Sequence, residues 1–571
     1  MKPLPVLFFL FIFLLHESHA WLSAPSTLCS YTCTPNTSTY RTDISPKYER
    51  QRATLFAQNS STRSLHQHPK PWNIIKLFTQ FLSYHLRRFL WPGLSKNFDQ
   101  NLKLPLPEIA PLGCPFFGNN ILAGSRKKGP EYFYSEASAK LGHPRIWRFY
   151  FMGQSIISVS GSDNVNAILQ TKKFNIASFE SYASNSKKGE KKKKKPKALF
   201  SSNSLMFEKD RKRHQFLRHL VGAAFTPHAV EQGMTNIVQA ANQQISKMKT
   251  KNTEKMEDIC DSFTLDIAWR QIIGLNLQDD EDEVRRFQKA VNTYLSGIFS
   301  LSAYLNLPWK TITSPYRARK YLVSKIEERI AYLERNGPDG STLSAMMCSS
   351  DEDSEKTLSH DEIVENVLIL LLAGTETTSS TLTSAVFFLG LYPHVWKKLV
   401  QEQKEISSTH GTNITKQVLE DCTYLEAVIK ETMRIVPLSG VNLRTAEEAV
   451  ILDGKQIPKG ANVFCNIRLT HELDPSTVSM DPVLDFTPEK WLDTCTKPIE
   501  YMPFGTGSRR CLGESLAMTE MRVFLSILAR RIERFELLGY GSDKKTIRWK
   551  PASIIPKPLD GVSISITHHI E

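Results

Sequence analysis

The chain has 571 residues and a formal net charge of +14, from 72 Lys and Arg against 58 Asp and Glu. Hydrophobic residues make up 41%, which supports a packed core and excludes a disordered or fibrous chain. The charge does not indicate a nucleic-acid protein: residues 1–100 (11 basic, 4 acidic) and 187–197 (8 lysines, one glutamate) contribute +7 each, the rest is near neutral, and no aromatic residue interleaves the lysines as base stacking requires.

Met1-Lys2-Pro3 precedes about a dozen apolar residues, Leu4 to Leu15, and then Ser18-His19-Ala20. A bilayer-spanning helix needs about 20 apolar residues, so 1–20 is expected to be a cleavable signal peptide. Trp21 to Ser64 holds 16 Ser/Thr, five basic residues (Arg41, Lys47, Arg50, Arg52, Arg63) and two acids (Asp43, Glu49). That composition suits a transit peptide, so 21–70 is expected to be a transit-peptide-like or disordered leader. A signal followed by a transit peptide resembles the two-part address of algae with complex plastids; the alternative is the endoplasmic reticulum membrane. Within 71–103, residues Trp72 to Trp91 combine apolar positions (Ile74, Leu77, Phe78, Phe81, Leu82, Phe89) with Lys76, Arg87 and Arg88. An interfacial membrane helix fits, and so does an internal helix packed on the domain that follows.

From Leu104 no linker interrupts the chain, and one catalytic domain over 104–571 is the simplest account. Residues 141–161 (Ile146, Phe149, Phe151, Ile156, Ile157, Val159) and the tail near Ile554 to Ile566 alternate as strands do, and Ile457-Pro458-Lys459-Gly460 reads as a turn between strands. His214 and Arg218 lie four apart in a basic helical stretch that runs into Phe225-Thr226-Pro227, where a solvated cationic face is the competing reading. A proline-free segment from about Asp361 to Leu391 carries Ala373-Gly374-Thr375-Glu376-Thr377-Thr378. Its apolar run is too short to span a bilayer, which predicts a buried core helix. Hydroxyls bonded back to their own helical turn are the bland alternative for Thr377. Glu431-Thr432-Met433-Arg434 closes another apolar helical pattern before Pro437; alone, such an i,i+3 pair contributes only about 0.2–0.5 kcal/mol.

Phe504-Gly505-Thr506-Gly507-Ser508-Arg509-Arg510-Cys511-Leu512-Gly513 is the most informative stretch. A free cysteine is ordinarily a small buried hydrophobe. Here Gly507 and Gly513, lacking Cβ atoms, allow close approach of backbone to a flat ligand or positive φ, and Leu512, Leu516, Val523, Phe524, Ile527 and Leu528 predict a helix starting at the cysteine. A helix N-terminus would lower the thiol pKa and favour a thiolate able to hold haem iron, and Arg509 could pair bidentately with a carboxylate such as a haem propionate. Zinc fits worse, because the chain has no Cys-x-x-Cys pair.

With these motifs the chain resembles the haem-thiolate monooxygenases of the cytochrome P-450 family, most closely the branches acting on retinoids, carotenoids and related isoprenoids. The resemblance covers roughly Leu104 to the C-terminus, beginning with a proline-rich hinge (Pro105-Leu106-Pro107) and turn (Pro115-Phe116-Phe117-Gly118). It implies a mainly α fold with a small β lobe (α+β) and haem b (iron protoporphyrin IX) between two central helices, with Cys511 as axial ligand. Phe504, Gly507 and Gly513 of the cysteine loop would bind the haem, and Arg509, Arg444, Arg218 and His214, in that order, would contact the propionates. Thr377 would hold water or peroxide at the iron, and Glu376 would link it to a proton path.

The resemblance also joins Glu431 and Arg434 to Lys490 of Phe486-Thr487-Pro488-Glu489-Lys490-Trp491, where many members carry arginine. A lysine lacks the planar fork that such a network uses. The lysine run 187–197 would fall in a loop over the substrate entrance. The implied reaction is hydroxylation or epoxidation of a hydrophobic small molecule (isoprenoid, carotenoid, sterol or fatty acid) with O2. Since the chain has no nucleotide fingerprint, two electrons would come from a separate donor: ferredoxin in a plastid, a flavin-containing reductase in the reticulum. Two competitors are a haem-thiolate hydroperoxide isomerase or lyase, and a non-enzymatic haem-binding sensor. The leader reading has its own test: residues 1–70 fused to a fluorescent protein should label the plastid, and uniform reticular labelling would refute that address.

Overall fold

The computed structural model describes residues 106–109, 132–151, 154–176, 204–250, 252–275, 280–298, 314–350, 356–438, 441–476, 485–495, 497–540, 556–558 and 560–570. Contacts divide the chain into Met1–Ile74 and Ile75–Glu571, and every described residue belongs to the second unit. The expected signal and transit segments, the stretch 72–91, the turn 115–118, the lysine run 187–197 and Ile554 lie outside the described residues. Among the described residues no helix is long and apolar enough to cross a membrane.

In chain order the strands are β1 (Glu108–Ile109), β2 (Ile146–Phe151), β3 (Gln154–Val159), β4 (Phe174–Ile176), β5 (Thr253–Lys255), β6 (Val441–Ala446), β7 (Val450–Leu452), β8 (Lys455–Ile457), β9 (Asn462–Asn466), β10 (Ile532–Leu537) and β11 (Ser563–His569). The principal helices are α1 (Tyr132–Lys140), α2 (Ser162–Leu169), α3 (Arg211–Gly222), α4 (Met234–Ile245), α5 (Met256–Ile267), α6 (Glu281–Ile298), α7 (Ser314–Asn336), α8 (His360–Leu391), α9 (Pro393–His410), α10 (Thr423–Ile435), α11 (Ile467–Glu472) and α12 (Glu514–Arg531).

The alternation in 141–161 is a β2–β3 antiparallel pair, with Ile146 opposite Val159 and Phe149 opposite Ile156. It belongs to a six-stranded mixed sheet of order β1-β2-β3-β9-β6-β4. Both faces of this sheet are covered. Ile146, Ile157 and Val159 pack with α2 on one side, and Trp147, Phe149 and Ile156 join Tyr134 and Phe464 on the other. The tail forms β11, which pairs with β10 and β5. Pro458 to Gly460 turns between β8 and β9, with Gly460 at φ +79°.

Helix α8 is the centre of the α layer. Ser359 and Glu362 form a reciprocal capping box at its start, the Ser359 N–H donating to Glu362 Oε2 at 3.0 Å. Apolar residues surround it, as expected of a helix buried on all sides: Phe388 stacks on Phe486 at 4.9 Å, and nearby Phe263 of α5 packs on Phe524 of α12 at 4.9 Å. The fold is thus mainly α with a small β lobe, as the sequence predicts.

Glu431 and Arg434 at the end of α10 form a bidentate pair at 2.7 and 2.8 Å, with side chains 0% and 2% exposed. The expected third member, Lys490, stands 4.0 Å from Glu431 Oε1, the outer edge of ion pairing. The stronger contacts come from its neighbours: the Trp491 indole N–H donates to Glu431 Oε2 at 3.0 Å and the Thr487 N–H to Oε1 at 3.1 Å. His471 of α11 carries the brace onward. Its Nδ1 bonds the Arg434 carbonyl at 3.1 Å, and its Nε2 accepts from the Met502 N–H at 3.0 Å, just before the cysteine loop. Burial presses the His471 pKa down to about 4 against the opposing hydrogen bond to the Arg434 carbonyl, which suits a neutral ring with one donor and one acceptor.

Because the Glu431 carboxylate is fully enclosed, Arg434→Met should destabilise the folded protein by about 3–5 kcal/mol. Denaturant unfolding of the two variants should rank Lys490→Met well behind it; the reverse order would show that the lysine, not the arginine, compensates the buried charge.

Candidate active site

The cysteine loop is a closed turn. The Cys511 N–H donates to the Phe504 carbonyl at 2.9 Å and the Gly505 N–H to the Met502 carbonyl at 3.0 Å. Helix α12 begins at Glu514 with Gly513 as N-cap, so the helix does not start at Cys511; the chain is extended at Arg510 (φ −52°, ψ 145°) and turns only afterwards. The thiol is also not depressed as expected. Burial pushes the Cys511 pKa up, outweighing the Gly513 N–H and the positive charges of Arg218 and Arg510. A metal ion bound to the sulfur would supply the missing positive charge and deprotonate it outright.

The two glycines divide their expected roles. Gly507 sits at φ +73°, and a Cβ there would lie 2.4 Å from the Leu169 carbonyl oxygen, so its bareness serves packing against α2 rather than a ligand. Gly513 has nothing within 4 Å of its Cβ position. Cys511 is hemmed in by protein yet keeps accessible surface, as a side chain does when it faces an internal cavity.

Four basic residues from separate parts of the chain meet beside this loop. The positive charges of Arg509, Arg218 and Arg444 all act on His214, which is buried; burial first and then these charges lower its pKa to about 4 and keep the imidazole neutral. Burial also lowers Arg509, to about 10, as well as Arg444 and Arg218. Arg509 donates to the Glu208 carbonyl and Arg444 to the Leu443 carbonyl at 3.0 Å. Among the described residues none of the three arginines forms a salt bridge. A half-buried group of cations without a carboxylate partner fits an anionic ligand, and Arg218 lies close enough to Cys511 for their charges to interact. A flat iron porphyrin carrying two carboxylates therefore matches the donors: a sulfur facing open space for the metal, and arginines for the propionates.

Helix α8 carries the other predicted site residues. Most of it is buried, but Leu370, Ala373, Gly374 and Thr377 retain access; spaced i, i+3, i+4, i+7, they form one stripe along the helix. The Thr377 hydroxyl donates to the Ala373 carbonyl at 2.6 Å, the back-bonded arrangement weighed above as the bland alternative. With its only proton committed there, the oxygen can still accept a hydrogen bond from a protonated species in the cavity. Glu376, beside the stripe, pairs with Lys557 Nζ at 2.8 Å. Thr378 hydrogen-bonds buried Glu520 of α12, whose carboxyl burial raises to about 8, so α8 and α12 meet within one residue of Thr377.

Sequence reasoning missed Trp491, Thr487, His471, Glu520 and Lys557. Trp491 stood inside the motif that named Lys490, and a tryptophan whose indole N–H needs a buried acceptor was its available signal. Nothing local marks His471 or Lys557, because their partners lie far away in sequence.

Comparison with known proteins agrees with this geometry. The family model Cytochrome P450 matches residues 107–562. Cytochrome P450 26B1 of Xenopus tropicalis is 29% identical over 457 residues, 77% of this chain and 83% of that protein. Cyclooctat-9-en-7-ol 5-monooxygenase of Streptomyces melanosporofaciens is 28% identical over 328 residues, 56% of this chain and 70% of its own. The solved structure of retinoic acid-bound cyanobacterial CYP120A1 shares the fold with a TM-score of 0.67 at 22% identity, covering 82% of this chain and all of the other. The chain belongs to the cytochrome P450 family, whose members bind haem b and act as monooxygenases on small molecules with O2 and a redox partner.

Proposed function

We propose that this monooxygenase oxidises a hydrophobic isoprenoid, with Cys511 as the haem-iron ligand and Thr377 on the oxygen-binding side. The observation that carries the assignment of the site is the convergence of Arg509, Arg444, Arg218 and neutral His214, unpaired by carboxylates, beside a cysteine that faces open space. Once bound, haem supplies O2 activation, with the thiolate pushing electron density toward O–O cleavage.

The chain's own residues bind, orient and protonate. The arginines would hold the haem propionates beside the cysteine loop. The Glu431–Arg434 brace, through Trp491 and His471, holds that loop at the position its ligand requires. Leu370, Ala373 and Gly374 offer a small, apolar wall that suits a hydrocarbon and excludes water from the reacting C–H bond. Thr377 accepts a hydrogen bond at the oxygen site, and Glu376 is the nearest carboxylate along the helix able to feed it protons.

The isoprenoid class rests on the sequence resemblance, and it is supported by the cyclooctat-9-en-7-ol 5-monooxygenase relative, whose substrate is a hydrophobic alcohol. A plastid address, as the composition of 1–64 suggests, would make ferredoxin the electron donor, and the apolar, basic composition of 72–91 is the support for attachment to a membrane surface.

Reduced protein under carbon monoxide should show thiolate-type absorption, and Cys511→Ser should lose it; an unchanged spectrum would refute the ligand. Thr377→Ala should slow product formation on the order of 10²-fold while O2 is still consumed and hydrogen peroxide released. Full coupling in that variant would remove Thr377 from the mechanism. Titration with retinoids and other isoprenoids should shift the Soret band at lower concentration than fatty acids of similar size, and the opposite preference would overturn the substrate class.

A further inference from the structure

Pro556-Lys557-Pro558 lies just ahead of the last strand, and the reading above gives it no task. The segment is strapped down. The Met256 and Glu257 N–H groups donate to the Val562 and Gly561 carbonyls at 2.9 and 3.0 Å, Ser380 of α8 donates to the Pro556 carbonyl, and β11 pairs with β5. Flanking prolines restrict the backbone at Lys557 further. Its side chain is thereby driven inward to 5% exposure, where Nζ meets Glu376 Oε1 at 2.8 Å, Asp261 Oδ1 at 3.4 Å and Glu257 Oε1 at 3.5 Å.

One ammonium therefore faces three carboxylates. Burial alone would lower the lysine's pKa, but Asp261, Glu376 and Glu257 outweigh it and hold Lys557 above its ordinary value. Burial, with help from the Glu376 and Glu257 charges, raises Asp261 against the pull of Lys557 and Ser379. The surplus negative charge gives the cluster capacity to hold a proton. A surface cleft of about 190 Å³ adjoins it, lined by exposed Asp258 and Asn292, by Ser262 and Gln288, and by Asp261 and Glu376 of the cluster itself. That volume is ample for several waters.

We propose that Lys557 is the positioning residue for Glu376, and that this cleft is the route by which solvent protons reach the oxygen site. The inference rests on the site reading above and extends it. Inserting one atom of O2 into a C–H bond consumes two electrons from the reductase and two protons from solvent, and yields the alcohol and one water. Those protons must cross α8 from the cleft to the stripe carrying Thr377. Glu376 adjoins both, and Lys557 holds its carboxylate at the crossing.

The test uses the haem-loaded full chain and the variants K557M, K557R, E376Q and K557M/E376Q. The carbon monoxide spectrum and the substrate-induced Soret shift should stay as in the parent, which keeps the site reading separate from this one. Product formed per O2 should fall about fivefold or more in K557M, with a larger solvent isotope effect on product formation, and K557R should restore most of it. The double variant should couple no worse than E376Q alone. Thermal unfolding supplies a readout independent of turnover: K557M/E376Q should melt higher than the sum of the two single losses. Normal coupling in K557M, or additive losses in both the coupling and the melting cycles, would overturn the proposal. Should the parent show no thiolate-type absorption, the haem reading fails, and the melting cycle on the chain itself still decides whether Lys557 and Glu376 act as a pair.

Discussion

Arg218, Arg444 and Arg509 reach the same place from α3, β6 and the cysteine loop, and like charges gathered in a half-buried pocket repel one another. Their desolvation and mutual repulsion favour opening the structure unless an anionic ligand neutralises them. The proposed ligand is the porphyrin, whose propionates would answer the arginines while its iron would answer the sulfur. Haem bound in this way would add its binding free energy to the stability of the folded chain.

The brace around Glu431 serves the same centre from behind. A carboxylate with no exposure is costly unless every lone pair is answered, and here Arg434, Trp491 and the Thr487 N–H answer it at hydrogen-bond distance. Lysine at 490 cannot offer the planar fork of an arginine; its ammonium stands 4.0 Å from Glu431, while the Trp491 indole and the Thr487 N–H lie at hydrogen-bond distance. His471 links this set to the residue before the cysteine loop, so the position of the sulfur is determined by a chain of short, buried hydrogen bonds rather than by the loop alone.

Helix α8 shows how one element serves two environments. Its capping box, apolar runs and back-bonded hydroxyls make it a rigid rod through the core. Small side chains at Ala373 and Gly374 leave room along one stripe, and Glu376 lines an acidic cleft on the neighbouring flank.

Much of this was legible in the chain itself. The cysteine loop, Glu431 with Arg434, the core helix through Thr377 and the paired strands of 141–161 are local patterns, set by backbone periodicity and by what glycine and proline permit within a few residues. Other features were decided only by tertiary packing: α12 starting after Cys511 rather than at it, burial raising the thiol, Gly507 bared for the Leu169 carbonyl, and Trp491 standing closer to Glu431 than Lys490 does. The placement of Lys557 among Glu257, Asp261 and Glu376 belongs with these. The reason is that burial, charge proximity and close backbone approach are relations between residues distant along the chain. Sequence spacing constrains neighbours within one turn or one pleat, whereas the partner of a buried charge is chosen by which elements the core brings side by side.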